Sequence, residues 1–219
     1  MRLVYYRVES SSMSIPVFYA DEDILVVDKP TLLLSVPGRG PEKQDCLVSR
    51  LSAEHGEVLV VHRLDWETSG LMVLARNKAA HRALSIQFQQ REVAKQYIAM
   101  VYGTVESERG EVDLPLICDW PNRPRQKVDM EQGKPSLTGW ELLDTGKKRS
   151  RLLLSPVTGR SHQLRVHMLS MGHPILGDPL YAKGEALAMA ERMLLHATSL
   201  GFRHPQTGEA MVFESPPPF

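Results

Sequence analysis

The stretch from Ser161 to Met171 constrains this chain more than any other. Leu164, Met168 and Met171 share one face of a helix, and Val166 and Leu169 lie on the other. A helix apolar nearly all round belongs in the interior. Arg165 sits in the middle of it. A guanidinium buried without a partner costs several kcal/mol, so the fold must bring it a carboxylate. From Thr145 to Gly177 there is no Asp or Glu, while Lys147, Lys148, Arg149, Arg151, Arg160, Arg165, His162, His167 and His173 are all present. No carboxylate lies close by in sequence, so the partner must come from elsewhere, and Asp65 is the candidate. The same run sets up a local positive potential, although the whole chain balances 26 basic against 26 acidic residues.

Composition narrows the class. The chain has 219 residues, 42% hydrophobic and 24% charged, ordinary for a globular protein. That excludes a disordered tail, a collagen-like fibre and a coiled coil. Cys46 and Cys118 are too few for a disulfide framework and lack CxxC spacing, so no structural zinc site is expected. His162, His167 and His173 have poor helical geometry for a shared metal and no nearby Cys or acid, so no metal is expected there either. No apolar run approaches the roughly 18 residues that cross a bilayer. The N-terminus MRLVYYRVESSSMSIP lacks the apolar core of a secretory signal. The expected compartment is the cytoplasm, with no membrane partner.

Residues 1–16 read as a weakly structured extension, with Met13 a second possible start, and 17–219 as a single domain. Strands are predicted at Val17–Ala20, Ile24–Lys29, Val58–Val61, Gly70–Arg76, Tyr97–Tyr102, Val112–Ile117, Leu137–Leu143, Ser150–Ser155, Leu194–Phe202 and Ala210–Glu214. GLMVLAR (Gly70–Arg76) is apolar without alternation, which suggests a strand buried on both faces. Helices are predicted at Asp45–Glu54, at Lys78–Arg91 with Ala79, Ala83, Ile86 and Gln90 along one stripe, and at Ser161–Met171 with Ser161 as cap. The sum is an α+β protein with a mixed, largely antiparallel sheet.

Two stretches hold most of the reactive groups. HRLDWETSG (His62–Gly70) sets an Asp, flanked by an Arg and followed by Ser-Gly, in a loop between two apolar strands. Rigidly held loops are where catalytic groups concentrate; alternatively Asp65 only closes an Asx turn. Trp66, Thr68 and Ser69 shape that loop. Arg63 can reach a phosphate or close a surface salt bridge. TGRSHQLRVHMLSMGHPILGDPLY (Thr158–Tyr181) offers Arg160, and His162, Gln163 and His167 can donate to phosphates or base edges. A third stretch, CDWPNRPRQK, alternates Arg123, Arg125 and Lys127 with Pro124 and Gln126 beside Trp120, a stiff basic edge that either meets phosphates or is a proline-rich connector whose charges keep it soluble.

Together these motifs resemble the RluA-type pseudouridine synthases, which isomerise uridine to pseudouridine in RNA. HRLDWETSG is similar to the family's catalytic motif HRLDxxTSG, and KQYIAMVYG (Lys95–Gly103) to its tyrosine motif. TGRSHQLRVH (Thr158–His167), GDPLY (Gly177–Tyr181) and LLHATSLGFRHPQTGE (Leu194–Glu209) are similar to later motifs, in the family's order. The likeness runs from about Val17 to the C-terminus. It implies a mixed sheet with helices and one central cleft, and no cofactor. It implies Asp65 as catalytic aspartate, Tyr97 against the target uracil, and Arg165 paired with Asp65. LPLICDWPNRPRQKV (Leu114–Val128) resembles the short dual-specificity members. That implies two RNA partners, 23S ribosomal RNA and a transfer RNA anticodon stem-loop, and a monomer without an S4-like domain.

Two rivals stand beside this. An aspartate-dependent nucleosidase needs a second carboxylate roughly 5–10 Å from the first, and the motifs offer only Glu67. A non-catalytic RNA-binding assembly factor would not need Asp65, Tyr97 and Arg165 together.

Overall fold

The computed structural model describes residues 14–219. The second possible start at Met13 and most of the expected N-terminal extension lie outside the described residues. Pro16, at its end, accepts a hydrogen bond from the Asp28 amide (2.9 Å).

In chain order the elements are β1 (Val17–Ala20), β2 (Ile24–Lys29), α1 (Leu47–His55), β3 (Leu59–Val60), β4 (Ser69–Ala75), α2 (Lys78–Gln90), β5 (Ala94–Tyr102), β6 (Arg109–Asp113), β7 (Leu116–Cys118), β8 (Gln126–Val128), β9 (Leu137–Thr145), β10 (Arg149–Pro156), α3 (Gln163–Ser170), α4 (Gly184–Ala188), β11 (Leu195–Arg203) and β12 (Ala210–Glu214). The class is α+β, with a largely antiparallel sheet, as expected. None of the described helices is long and apolar enough to cross a membrane. The chain divides into two compact units, one running to Lys95 and resuming at Ala197–Pro218, the other Gln96–His196 with Phe219.

In the first unit β2 pairs antiparallel with both β1 and β4, and β3 adds to β4. The whole of β4 is buried, as its unbroken apolar run predicts. It packs with Ile24, Val26, Leu84, Leu200, Phe202 and Phe213. The Asn77 side chain caps α2 by accepting from the Ala80 amide (2.8 Å). The inner stripe of α2 differs from the predicted one: Ala80, Leu84 and Gln87 are buried, and Ile86 is 42% exposed. The reason is Gln87. Its amide bonds both backbone groups of Arg203, each at 2.8 Å, so a polar residue marks the inner face. Counting apolar residues rotates that face outward.

In the second unit β5, β10, β9 and β6 follow one another in antiparallel order, with Tyr97 opposite Leu154. The strand expected at Val112–Ile117 is broken. β6 pairs with β9 and β7 with β8, the change of partner falling at Leu114-Pro115, where Pro115 has no amide to donate. Ser161 does not cap α3. His162 holds the cap position in a left-handed conformation (φ 53) without a side-chain cap bond. Gln163 to Met168 are buried and Leu169 is partly exposed, so the helix is interior over most of its length.

Candidate active site

Asp65 lies in the loop between β3 and β4, half-buried. Side-chain hydroxyl and ammonium groups fasten this loop to the segment after β2. The Ser35 hydroxyl donates to the Leu64 carbonyl (2.7 Å) and accepts from the Leu64 amide (3.2 Å). The Thr31 hydroxyl donates to the Glu67 carbonyl (2.7 Å). Lys29 is fully buried, and its Nζ donates to the carbonyls of Pro30 (2.8 Å), Leu33 (2.8 Å) and Trp66 (3.4 Å). Within the loop the Thr68 amide closes a turn on the Asp65 carbonyl (3.2 Å). Gly70, at the loop's end, has φ +116, and a Cβ there would stand 2.4 Å from the Ala197 carbonyl oxygen, so no side chain fits.

Two neighbours of Asp65 have shifted acidity. Burial pushes Lys29 down to about 8, and the charges of Asp65, Glu67 and Asp28 resist that fall. Burial, then the Lys95 charge, push His62 down to about 3. His62 is therefore neutral at pH 7. Its Nε2 accepts from the Val73 amide (3.1 Å), and its ring stacks on Phe88 with centroids 4.6 Å apart. Thr68 and Ser69 are buried, whereas Trp66 is 48% exposed. Arg63 is exposed.

In the second unit Arg165 is 1% exposed and Asp178 is fully buried. Arg165 Nε and Nη2 donate to the two Asp178 carboxylate oxygens at 2.8 and 2.7 Å, a side-on fork. Charge balance therefore does not by itself require Asp65, because Asp178 lies thirteen residues along the chain. It is the first acid after the acid-free run, and that was the available signal. The Asp178 Oδ1 also accepts from the amides of Leu180 (2.9 Å) and Tyr181 (3.2 Å). Gly177 before it has φ +69, and a Cβ there would meet the Arg192 carbonyl oxygen at 2.1 Å. The Tyr181 ring lies 5.2 Å from the guanidinium carbon of Arg165. Gly, Asp and Tyr of GDPLY thus each serve the Arg165 helix.

The histidines and Gln163 of α3 divide. Gln163 is buried, with Oε1 accepting from Thr158 Oγ1 and the Arg160 amide, and Nε2 donating to the Leu137 carbonyl and Thr138 Oγ1. His167 is buried too. Its Nε2 donates to the Leu114 carbonyl (3.1 Å), so its Nδ1 accepts from the Thr138 hydroxyl (2.9 Å). Burial lowers its pKa. Both are corrected from RNA contacts to internal struts, because their polar atoms are spent inside the protein. His162 is half-buried, its Nδ1 2.8 Å from the Tyr181 hydroxyl. His173 Nδ1 meets the Tyr102 carbonyl (2.8 Å), so the three histidines serve three separate partners. Arg160 is exposed, its Nε on the Pro135 carbonyl (3.3 Å). Tyr97 is half-buried against the core of Ala99, Leu152, Leu154 and Leu164.

The basic loop is more structured than an extended edge. Arg123 folds back over the Trp120 ring (3.9 Å) and donates to the Trp120 carbonyl (3.0 Å). Lys127 lies 4.0 Å from Asp129. Among the described residues one set, Asp21, Asp23 and His204, brings three potential metal ligands within 4.8 Å. Asp21 already accepts from Tyr19, His204 and the amides of Asp23 and Ile24, so the cluster ties the β1–β2 turn to the β11–β12 turn.

Comparison with known proteins identifies the family. The family model for RNA pseudouridylate synthase matches residues 23–170. The chain is 52% identical to the dual-specificity RNA pseudouridine synthase RluA of Escherichia coli strain K12 over 204 residues, 93% of each. It is 54% identical to the protein of that name from Vibrio vulnificus over 196 residues, 87% of this chain and 78% of the other. Among solved structures, human RNA pseudouridylate synthase domain containing 1 superposes with a TM-score of 0.80 at 30% identity, covering 97% of this chain and 87% of that one. With most of its length matched by the family model and half its residues shared with such relatives, the chain belongs to the RNA pseudouridylate synthase family.

Proposed function

We propose that this chain, an isomerase converting uridine to pseudouridine in RNA, acts on 23S ribosomal RNA and on a transfer RNA anticodon stem-loop in the cytoplasm, as a monomer. Residues 17–219 work as one catalytic domain. Its relatives' dual-specificity name supports two RNA classes. Support for the site rests above all on the Asp65 loop, held by Lys29, Thr31 and Ser35 so that a reactive carboxylate keeps its position.

The reaction breaks the C1′–N1 bond and makes C1′–C5. Nothing is oxidised or hydrolysed. The uridine first leaves its stack, at a cost of a few kcal/mol. Asp65 supplies the carboxylate, at the sugar or at the uracil ring. Tyr97 stacks on the extruded base, worth roughly 1–3 kcal/mol. Arg165, fixed in one orientation by its fork to Asp178, is the third residue of the catalytic set. Arg63, Arg160, His162 and the loop bases Arg123, Arg125 and Lys127 meet the RNA backbone.

Tritium release from C5-labelled uridine in ribosomal and transfer RNA, with reverse-transcriptase mapping of the product, tests this. Wild type is expected to release tritium from both, and Asp65→Asn to fall at least about a hundredfold in rate. Release from one RNA alone would restrict the chain to that substrate. Free uracil would return the nucleosidase reading, and binding without release the assembly factor.

A further inference from the structure

The second unit contains a cavity of about 470 Å³ to which the chemistry above assigns no ligand, although Arg125 of the basic loop lines it. That lies within the roughly 300–1,000 Å³ of small-ligand pockets. Leu169, Pro174 and Leu180 form apolar wall. Arg125 and Lys183 also line it, and neither cation has an ion pair or side-chain hydrogen bond among the described residues. Glu185, the acid in the lining, is neutralised by Lys148 Nζ at 2.6 Å and accepts from the Tyr102 hydroxyl at 2.9 Å. The cavity thus joins two uncompensated positive charges to an apolar surface. A ligand that satisfies both has an anionic end and a body with an apolar face, which a nucleotide offers in its phosphate and the face of its base.

The cavity is also wired to the catalytic helix. Tyr181, part of its lining, accepts from the Gln126 amide (2.7 Å) at the end of the basic loop. The amides of Leu180 and Tyr181 rest on Asp178, the carboxylate that forks Arg165.

We propose that this cavity binds one unpaired nucleotide of the RNA substrate other than the target uridine, its phosphate on Arg125 and Lys183 and its base on Leu169, Pro174 and Leu180. The proposal rests on the chain being an RNA-modifying enzyme. It adds a second anchoring point, read by whether a nucleotide can be splayed from its neighbours rather than by the target base.

Two variants test it. Leu169→Trp fills the cavity from a partly exposed helix position. Lys183→Glu reverses a charge at the N-cap of α4, where a carboxylate suits the helix dipole and folding is retained. Circular dichroism confirms that each is folded. Kinetics are measured on a synthetic stem-loop carrying a uridine that wild type modifies, intact and with abasic sites scanned through the other positions. Both variants are expected to raise KM at least about fivefold, the low end of one stacked base, with a smaller change in kcat. One abasic position should cost wild type a similar factor and cost Leu169→Trp nothing further. The proposal is overturned if both folded variants match wild type in KM, or if every abasic site costs Leu169→Trp as much as wild type. Should Leu169→Trp misfold, Lys183→Glu and the same abasic position decide alone. Wild type yielding no pseudouridine in any RNA would instead sink the functional proposal, before the variants are compared.

Discussion

Beneath the Asp65 loop the buried charge is Lys29, and its three bonds go to backbone carbonyls of two loop segments. Beneath the Arg165 helix it is Asp178, matched atom for atom by a guanidinium fork. The two solutions suit their tasks. An ammonium with rotatable donors can gather carbonyls from several directions, whereas a planar fork fixes one partner in one orientation. They differ in what they leave behind. The Arg165–Asp178 pair compensates its own charge. Lys29 bonds only to dipoles, so desolvation pulls its pKa down to about 8 and its charge becomes sensitive to modest alkali.

Breaking the ion pair should have the largest effect. Asp178→Asn removes the carboxylate that forks Arg165, and urea unfolding should show a loss of about 3–5 kcal/mol. Replacing both residues by apolar ones of similar size should recover most of that stability but not activity. A loss under about 1 kcal/mol for Asp178→Asn would mean that the pair does not anchor the helix.

Next comes Lys29→Met, expected to cost about 1–3 kcal/mol. The effect is smaller because water can reach the Pro30 and Trp66 carbonyls, which belong to exposed residues, while Leu33 is buried. Isomerisation should suffer more than stability, since the loop that loosens carries Asp65. A variant as active as wild type would leave Thr31 and Ser35 as sufficient fastening.

Titration sharpens the contrast without mutation. Folded Lys29 titrates near 8 and the unfolded lysine near 10.5, so between these values the unfolded chain binds more protons. Its burial penalty, fully present below pH 8, is relieved as pH rises through that window. The stability of wild type relative to Lys29→Met should therefore rise from pH 8 to 10.5. The acid side is set by His62, neutral when folded until about 3 against 6.5 unfolded. Stability should fall as pH drops from 6.5 towards 3, and His62→Gln, which keeps an acceptor for Val73, should flatten that fall. No such slope in denaturation midpoints would show that His62 accepts its proton in the folded state.

The smallest effect on stability is expected in the basic loop, outside both anchors. Changing Arg123, Arg125 and Lys127 to Gln should move unfolding by less than about 0.5 kcal/mol. It should lower the slope of log affinity against log salt by about 0.7–0.9 for each phosphate that the loop neutralises. Arg123 should contribute least, because it is already folded over Trp120. An unchanged slope would remove the loop from the RNA interface.

How far the sequence alone reached can be seen residue by residue. The unbroken apolar run of β4 announced a strand buried on both faces, because burial of every side chain needs no knowledge of the partner. The apolar helix around Arg165 announced a buried cation that had to be paired, because the cost of an isolated charge holds in any fold. The order of motifs from HRLDWETSG to GDPLY announced the family, because several spaced motifs in one order are far more specific than any one alone. Three things were decided only in three dimensions. Which carboxylate forks Arg165 depends on a turn at Gly177 that swings Asp178 under the helix. The inner face of α2 depends on Gln87 finding the backbone of Arg203, over a hundred residues away. Whether a polar side chain such as Lys29, Gln163 or His167 faces solvent or closes an internal network depends on carbonyls and hydroxyls supplied by distant segments. Spacing records the periodicity of one segment. It carries no record of which distant donor or acceptor packing will bring within 3 Å.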